Sequence, residues 1–253
     1  MEKKRQIAAV LILLALIGVI AYRHSTGKDL EKYEASFFDV FDTQTQIIGY
    51  ASSKEQFSEQ MSLIKDKFQY YNDLYDIYHD YEGMNNIKTI NDNAGIQPVK
   101  VDEEIIELLK LGITMDEKTD GNMNIAMGSV LSIWHDYREA GSEDPYSAEL
   151  PPMDELERAA EHTDIHNIVI DEEASTVYLT DPDMSLDVGS IGKGYAVQKV
   201  AEYAKNELGI QYMLFSVGGN VCAIGGHPDG SAWAVGIQNP DVESDQAYIK
   251  KVE

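Results

Sequence analysis

The sequence predicts a mixed α and β domain behind an N-terminal apolar segment. Three observations predict it. Apolar residues recur at spacings of three and four over 57–78, β-branched and aromatic runs alternate on either side, and strand–helix–strand units with glycine punctuation fill 187–238.

The elements follow in order. Lys3, Lys4 and Arg5 precede an unbroken apolar stretch, Ile7 to Tyr22. That pattern reads as an uncleaved signal anchor over 1–24 in preference to a cleaved signal peptide with Val19 and Ala21 at the cleavage site. No Cys follows, which closes the bacterial lipoprotein route. The basic flank then stays in the cytoplasm and the rest is exported, a cell-membrane protein with its domain on the extracytoplasmic side. Residues 25–36 read as a polar linker and 37–253 as the domain. "FFDVFDTQTQIIGYAS" reads as a strand. Phe57, Met61, Ile64, Phe68, Tyr71, Leu74 and Tyr78 mark one face of a long helix, and that stripe reads as core. "GMNNIKTINDNAGIQPVKV" reads as a turn-rich connection. Asp102 caps a helix to about Lys118, a helix forms around Trp134, and a short one spans Met153 to His162. "NIVIDEEASTVYLT" reads as a hairpin, and an apolar-leaning stretch continues to Leu186. A helix from about Ile191 ends at Gly209, and "QYMLFSV", "NVCAIG" and "WAVGIQ" are strands. "AYIKKVE" reads as the middle of a strand, which raises the expectation of a C-terminal truncation.

Composition sets limits. Twenty Lys+Arg against 44 Asp+Glu give a net charge of −24, which opposes nucleic-acid binding. A phosphate ligand would therefore need local cations, backbone N–H groups or a metal. The single cysteine, Cys222, excludes an intrachain disulfide and reads as core filler. His162 and His166 read as surface histidines near a helix end, and His135 and Asp136 as exposed helix residues.

The chemistry-bearing stretch is "DVGSIGKGYAVQ", with Gly189, Gly192 and Gly194 around Lys193 at the mouth of a helix. A P-loop needs four residues between its glycines and a Ser or Thr after the lysine, so that match fails. The physics is shared all the same: glycines admit close backbone approach, a helix N-terminus offers free N–H donors, and Lys193 is a point charge suited to phosphate. A plain strand–helix turn with a solvated lysine is the bland reading of these residues. Gly218-Gly219, between two apolar β runs, is a second glycine site flanking the same helix and points to a shared cleft.

The run "MSLDVGSIGKGYAVQKVAEYAKNELGIQYMLFSVGGNVCAIGG" resembles the central signature of the ApbE family, the FAD:protein FMN transferases. "FDTQTQI", "IKTINDNAG" and "TDGNMNIAMGSVLSIW" resemble three further family segments in the same order, so the likeness runs from about Phe37 to Pro240. It implies an α+β, T-fold-like mixed sheet with packed helices. It also implies an exported enzyme that binds FAD with Mg²⁺ and moves FMN to a Ser or Thr hydroxyl of a target protein, releasing AMP. Targets of this kind are usually membrane redox subunits. By the resemblance, Asp187 and Lys193 contact FAD and carry the catalytic role, and Ser190 offers an oxygen to the metal. Phe41 and Thr43 sit at the flavin, Ala126, Met127 and Gly128 lie beside the ligand, and Gly218 and Gly219 line the cleft. Phe41-Asp42 stands where Met-Gly is usual, Asn124 where Asp is, Ala126 where Thr is and Asn220 where Asp is common. The family's closing segment, with Asp and Thr metal ligands, has no counterpart in these 253 residues. Two other readings stay open: a flavin-binding protein without catalysis, and an Mg²⁺-dependent FAD pyrophosphatase.

Overall fold

The computed structural model describes residues 30–253, so the expected signal anchor over 1–24 lies outside the described residues. Among the described residues no helix is long and apolar enough to cross a membrane.

The chain opens with two antiparallel strands, β1 (Glu31–Val40) and β2 (Thr43–Ala51), paired from Glu31↔Ala51 to Val40↔Thr43. This corrects two expectations, a linker reaching residue 36 and one strand over Phe37 to Ser52. Tyr33, Ala35 and Phe37 turn toward the core while Glu31, Lys32, Glu34 and Ser36 face water. That alternation makes a charged edge strand out of a stretch whose composition reads as linker.

Helix α1 (Lys54–Tyr75) starts at Ser53, whose side chain accepts from the Gln56 amide. It ends at Tyr75, so Tyr78 lies beyond it and is not part of its stripe. The stripe is core: Phe68 meets Phe37 and Phe215 at 6.3 Å each between ring centroids. Burying such a side chain contributes about 1.5–3 kcal/mol.

The connection expected to be turn-rich also holds a helix, α2 (Ile87–Asp92), and a short strand, β3 (Val99–Lys100). Asn86 caps α2 reciprocally with Thr89 and is itself buried, its amide donating to the carbonyls of Asp73 (3.1 Å) and His79 (2.8 Å). Helices α3 (Glu103–Lys118, capped by Asp102), α4 (Gly128–Glu143) and α5 (Met153–Ala160) follow. The hairpin of β4 (Ile168–Asp171) and β5 (Thr176–Leu179) joins β3 in a three-stranded sheet ordered β3-β5-β4.

Helix α6 (Gly192–Asn206) buries Ala196, Val197, Val200, Ala201 and Ala204 and packs beside α1. Strands β6 (Met213–Val217) and β7 (Asn220–Ile224) complete an antiparallel four-stranded sheet ordered β1-β2-β6-β7. Strands β8 (Val235–Gln238) and β9 (Tyr248–Val252) pair separately. Cys222, expected as core filler, is only half-buried, with Sγ 3.5 Å from Gln198 Oε1.

Candidate ligand cleft at the start of helix α6

Strand β5 stops at Leu179, so no strand leads directly into the glycine stretch. Residues 180–191 form an irregular loop whose polar groups are matched across the fold. The Leu186 amide donates to Asn91 Oδ1 (2.8 Å) and Asn91 Nδ2 donates to the Leu186 carbonyl (3.0 Å). The Gly128 amide donates to Ser185 O (3.0 Å) and the Asp187 amide to Ile125 O (2.9 Å). A Cβ at position 128 would lie 2.6 Å from the Ser185 carbonyl oxygen, so the two segments touch backbone to backbone. Three separate sequence segments, around Asn91, Gly128 and Asp187, are thereby fixed to one another.

The start of α6 is rich in free donors. The Ile191 and Gly192 amides both donate to Val188 O. Among the described residues, the amides of Ser190, Lys193 and Gly194 have no protein acceptor. Free amides on a helix N-terminus favour an anion. Asn220 Oδ1 would lie 3.3 Å from a Cβ at position 194, so the Gly218-Gly219 turn abuts the same helix start.

A cavity of about 520 Å³ opens there, lined by Phe41, Tyr75, Asp76, Asp187, Gly189 and Lys193 among others. Phe41 and Asp42 form the β1–β2 turn at φ 55° and 49°. A bulky side chain in the left-handed region costs about 1–2 kcal/mol and is seldom seen away from functional sites. The turn is held by the Phe41 amide, which donates to Asn72 Oδ1 at 2.7 Å. On the cavity wall, burial opposes ionisation of Asp76. The amides of Tyr78 (2.6 Å) and His79 (3.2 Å), the Tyr81 hydroxyl (2.7 Å) and the His79 ring (2.9 Å) outweigh it and hold the carboxyl below the usual carboxylate range. Desolvation and then the nearby Asp187 carboxylate push the Tyr78 hydroxyl up, so it stays protonated and able to donate.

A second cavity, about 530 Å³, adjoins the first and shares Tyr78, Arg138 and Asp187 with it. Trp134 and His135 line it, with the His135 ring 5.0 Å from that of Tyr78. His135 thus belongs to the cleft wall, whereas the sequence predicts an exposed helix residue. Arg138 and Tyr78 are cleft residues that the sequence reading misses. Tyr78 reads from sequence as part of the α1 stripe, and nothing in the sequence marks Arg138 as facing a cavity.

The structure brings Phe41, Asp187 and Lys193 together on one cavity. Thr43, Gly218 and Gly219 stand at the adjoining end of the sheet, and Gly128 packs against Ser185, with Ala126 and Met127 just before it in the chain. None of these six lines either cavity, and neither does Ser190.

The Mg²⁺ implied at Ser190 needs about six oxygens in octahedral order. Among the described residues, the cluster of three metal-ligating side chains is His162, Asp181 and Asp183, which line neither cavity. Beside Ser190 stands Asp187, whose Oδ1 already accepts the Gly189 amide at 2.8 Å. Asp187 and Ser190 would supply two of those oxygens, and Mg²⁺ is commonly held by one or two protein oxygens with waters and substrate phosphates completing its shell. The His162 cluster is accounted for as an ion pair, with Nδ1 2.9 Å and 3.1 Å from the Asp181 oxygens. His162 is therefore a partly exposed histidine just past the end of α5, as the sequence predicts, and it is paired with Asp181.

Comparison with known proteins agrees with this architecture. The ApbE crystal structure from Thermotoga maritima superposes with a TM-score of 0.71 at 24% identity, covering 88% of this chain and 67% of that one. The flavin transferase ApbE from Vibrio cholerae gives 0.68 at 20%, over 83% and 65%. Among curated relatives, a "FAD:protein FMN transferase" of Escherichia coli K12 is 26% identical over 180 residues, 70% of this chain and 50% of the relative. One from Klebsiella pneumoniae is 25% identical over 210 residues, 83% and 62%. The chain thus spans about half the length of the first of these relatives. The ApbE family model matches residues 41–253, and the chain belongs to the ApbE family.

Proposed function

We propose that the chain acts as an FAD:protein FMN transferase. The acceptor's Ser or Thr oxygen bonds to the FMN phosphorus, the bond from that phosphorus to the AMP oxygen breaks, AMP leaves with the electron pair, and the hydroxyl proton passes to solvent. The observation that carries this reading is Lys193, whose ammonium and free amide belong to a cavity that Phe41 and Asp187 also line, with the free amides of Ser190 and Gly194 near it at the start of the same helix. In a chain of net charge −24, those donors offer a diphosphate a local positive field. Lys193 and the amides bind and orient the phosphates and stabilise charge as it shifts to the leaving oxygen. Asp187 accepts from the ligand's hydroxyl or ring N–H groups, and Phe41 offers an apolar face to a flavin ring.

The basic and apolar N-terminus supports placing this activity outside the cytoplasm, on a membrane-anchored domain that begins with β1 at Glu31 and meets membrane redox subunits. The test incubates the full chain with FAD and an acceptor protein, with and without added Mg²⁺. The expected result is an acceptor band that stays fluorescent after denaturation. Free FMN and AMP without such a band mean hydrolysis, and unchanged FAD means binding alone.

A further inference from the structure

The two cavities meet at Tyr78, Arg138 and Asp187. Among the described residues, Arg138 and Lys193 are the Lys or Arg side chains lining either cavity, which also present Asp39, Asp42, Asp76, Asp187 and Glu149. The acidic groups are partly answered already: Asp39 by Lys65, and Asp76 by its donors. Neither Arg138 nor Lys193 pairs with a carboxylate among the described residues. Both cations are therefore available to a ligand.

Arg138 is also held in place. Its Nη2 donates to His135 Nδ1 at 2.8 Å, and His135 Nε2 lies 3.0 Å from Glu139 Oε1. These partners assign the His135 proton to Nε2 and leave Nδ1 as the acceptor. One of the five guanidinium N–H groups is used and the others remain for a planar, charge-assisted contact with phosphate oxygens. Tyr78, its ring 5.0 Å from that of His135, lies at the same junction with its hydroxyl 3.4 Å from His135 Nδ1.

We propose that Arg138 is the second cation for the ligand's diphosphate and sets the preference for a dinucleotide over a mononucleotide or an uncharged flavin. A diphosphate diester carries two negative charges, and a ligand long enough to enter both cavities must pass its linker through their junction. Lys193 with the α6 amides takes one phosphate and Arg138 takes the other. The proposal rests on the flavin reading above and adds to it a specificity-determining residue from α4.

The experiment measures equilibrium binding of FAD, FMN and riboflavin to the full chain by flavin fluorescence, for the unaltered protein, Arg138→Ala, Arg138→Lys and Lys193→Ala. The expected result is an FAD affinity about tenfold lower in Arg138→Ala, as befits a lost charged hydrogen bond. Riboflavin should change less than about twofold, and Arg138→Lys should recover part of the loss as a point charge. FAD binding should also weaken less with added salt in Arg138→Ala than in the unaltered protein. Equal losses for FAD and riboflavin, or an unchanged FAD affinity, overturn the role of Arg138 while leaving the flavin reading intact. An unaltered protein that binds riboflavin as well as FAD, or neither, overturns both. Circular dichroism of each variant separates misfolding from lost contact.

Discussion

Two turns stand at the same end of the four-stranded sheet and reach the same backbone shape by different means. Between β6 and β7, Gly218 and Gly219 take φ 53° and 89°. Between β1 and β2, Phe41 and Asp42 take φ 55° and 49°. Both are two-residue hairpin turns whose central residues need positive φ, the geometry that glycine and asparagine accept without strain. They are joined, since the Gly218 amide donates to Gln44 O at 3.0 Å. The glycine turn is there because nothing larger fits against Thr43. The Phe-Asp turn is strained, and the strain places an aromatic ring on the cleft. One turn serves the sheet and the other the ligand.

The largest effect should come from substituting Gly218. A Cβ there would sit 2.6 Å from Thr43 Oγ1, whereas one at Gly219 meets nothing within 4 Å. Gly218→Ala should lose about 2–4 kcal/mol of stability in urea unfolding, and Gly219→Ala only about 1 kcal/mol. Equal losses would mean that backbone conformation, not contact with Thr43, decides both. Next is Asp42→Gly. Asp42 is exposed and left-handed, so glycine relieves strain there and should stabilise by about 1 kcal/mol. A destabilised Asp42→Gly would show that the turn is not strained.

The smallest effect concerns His162, distant from both turns and a control on them. Its pKa is raised by the Asp181 hydrogen bond, and that of Asp181 is lowered by His162. The histidine's contribution is fully present below its unfolded value near 6.5 and is lost as pH rises through the higher folded value. The aspartate's contribution is present above its unfolded value near 3.9 and is lost as pH falls. His162→Ala should therefore flatten the change in Tm between about pH 6 and pH 8. An unchanged slope would mean that the pair does not hold in solution.

The contrast between the turns also shows what the sequence can tell. Gly218-Gly219 is legible because glycine between β runs has a conformational meaning. Phe41-Asp42 is not, because phenylalanine carries no turn chemistry, and the two strands read as one. The start of β1 was hidden for a related reason: Glu31, Lys32 and Glu34 look like linker until the alternation of Tyr33, Ala35 and Phe37 finds a sheet edge. Helix α1 and the Asp102 cap were legible from periodicity and capping chemistry alone. The loop before α6 reads only as an apolar-leaning stretch because its order comes from Asn91 and Ile125, distant in sequence. Lys193 and Asp187 were legible from the glycine pattern and the family resemblance. Arg138 was not, because a helix carries no mark of the cavity its face will meet.

The measurement that bears most directly on the central claim is FAD affinity of Lys193→Ala set beside riboflavin affinity of the same variant. If the ammonium and amides at the start of α6 grip the diphosphate, FAD binding falls by about tenfold or more and riboflavin binding holds. FAD affinity that survives the loss of Lys193 unchanged would contradict the account.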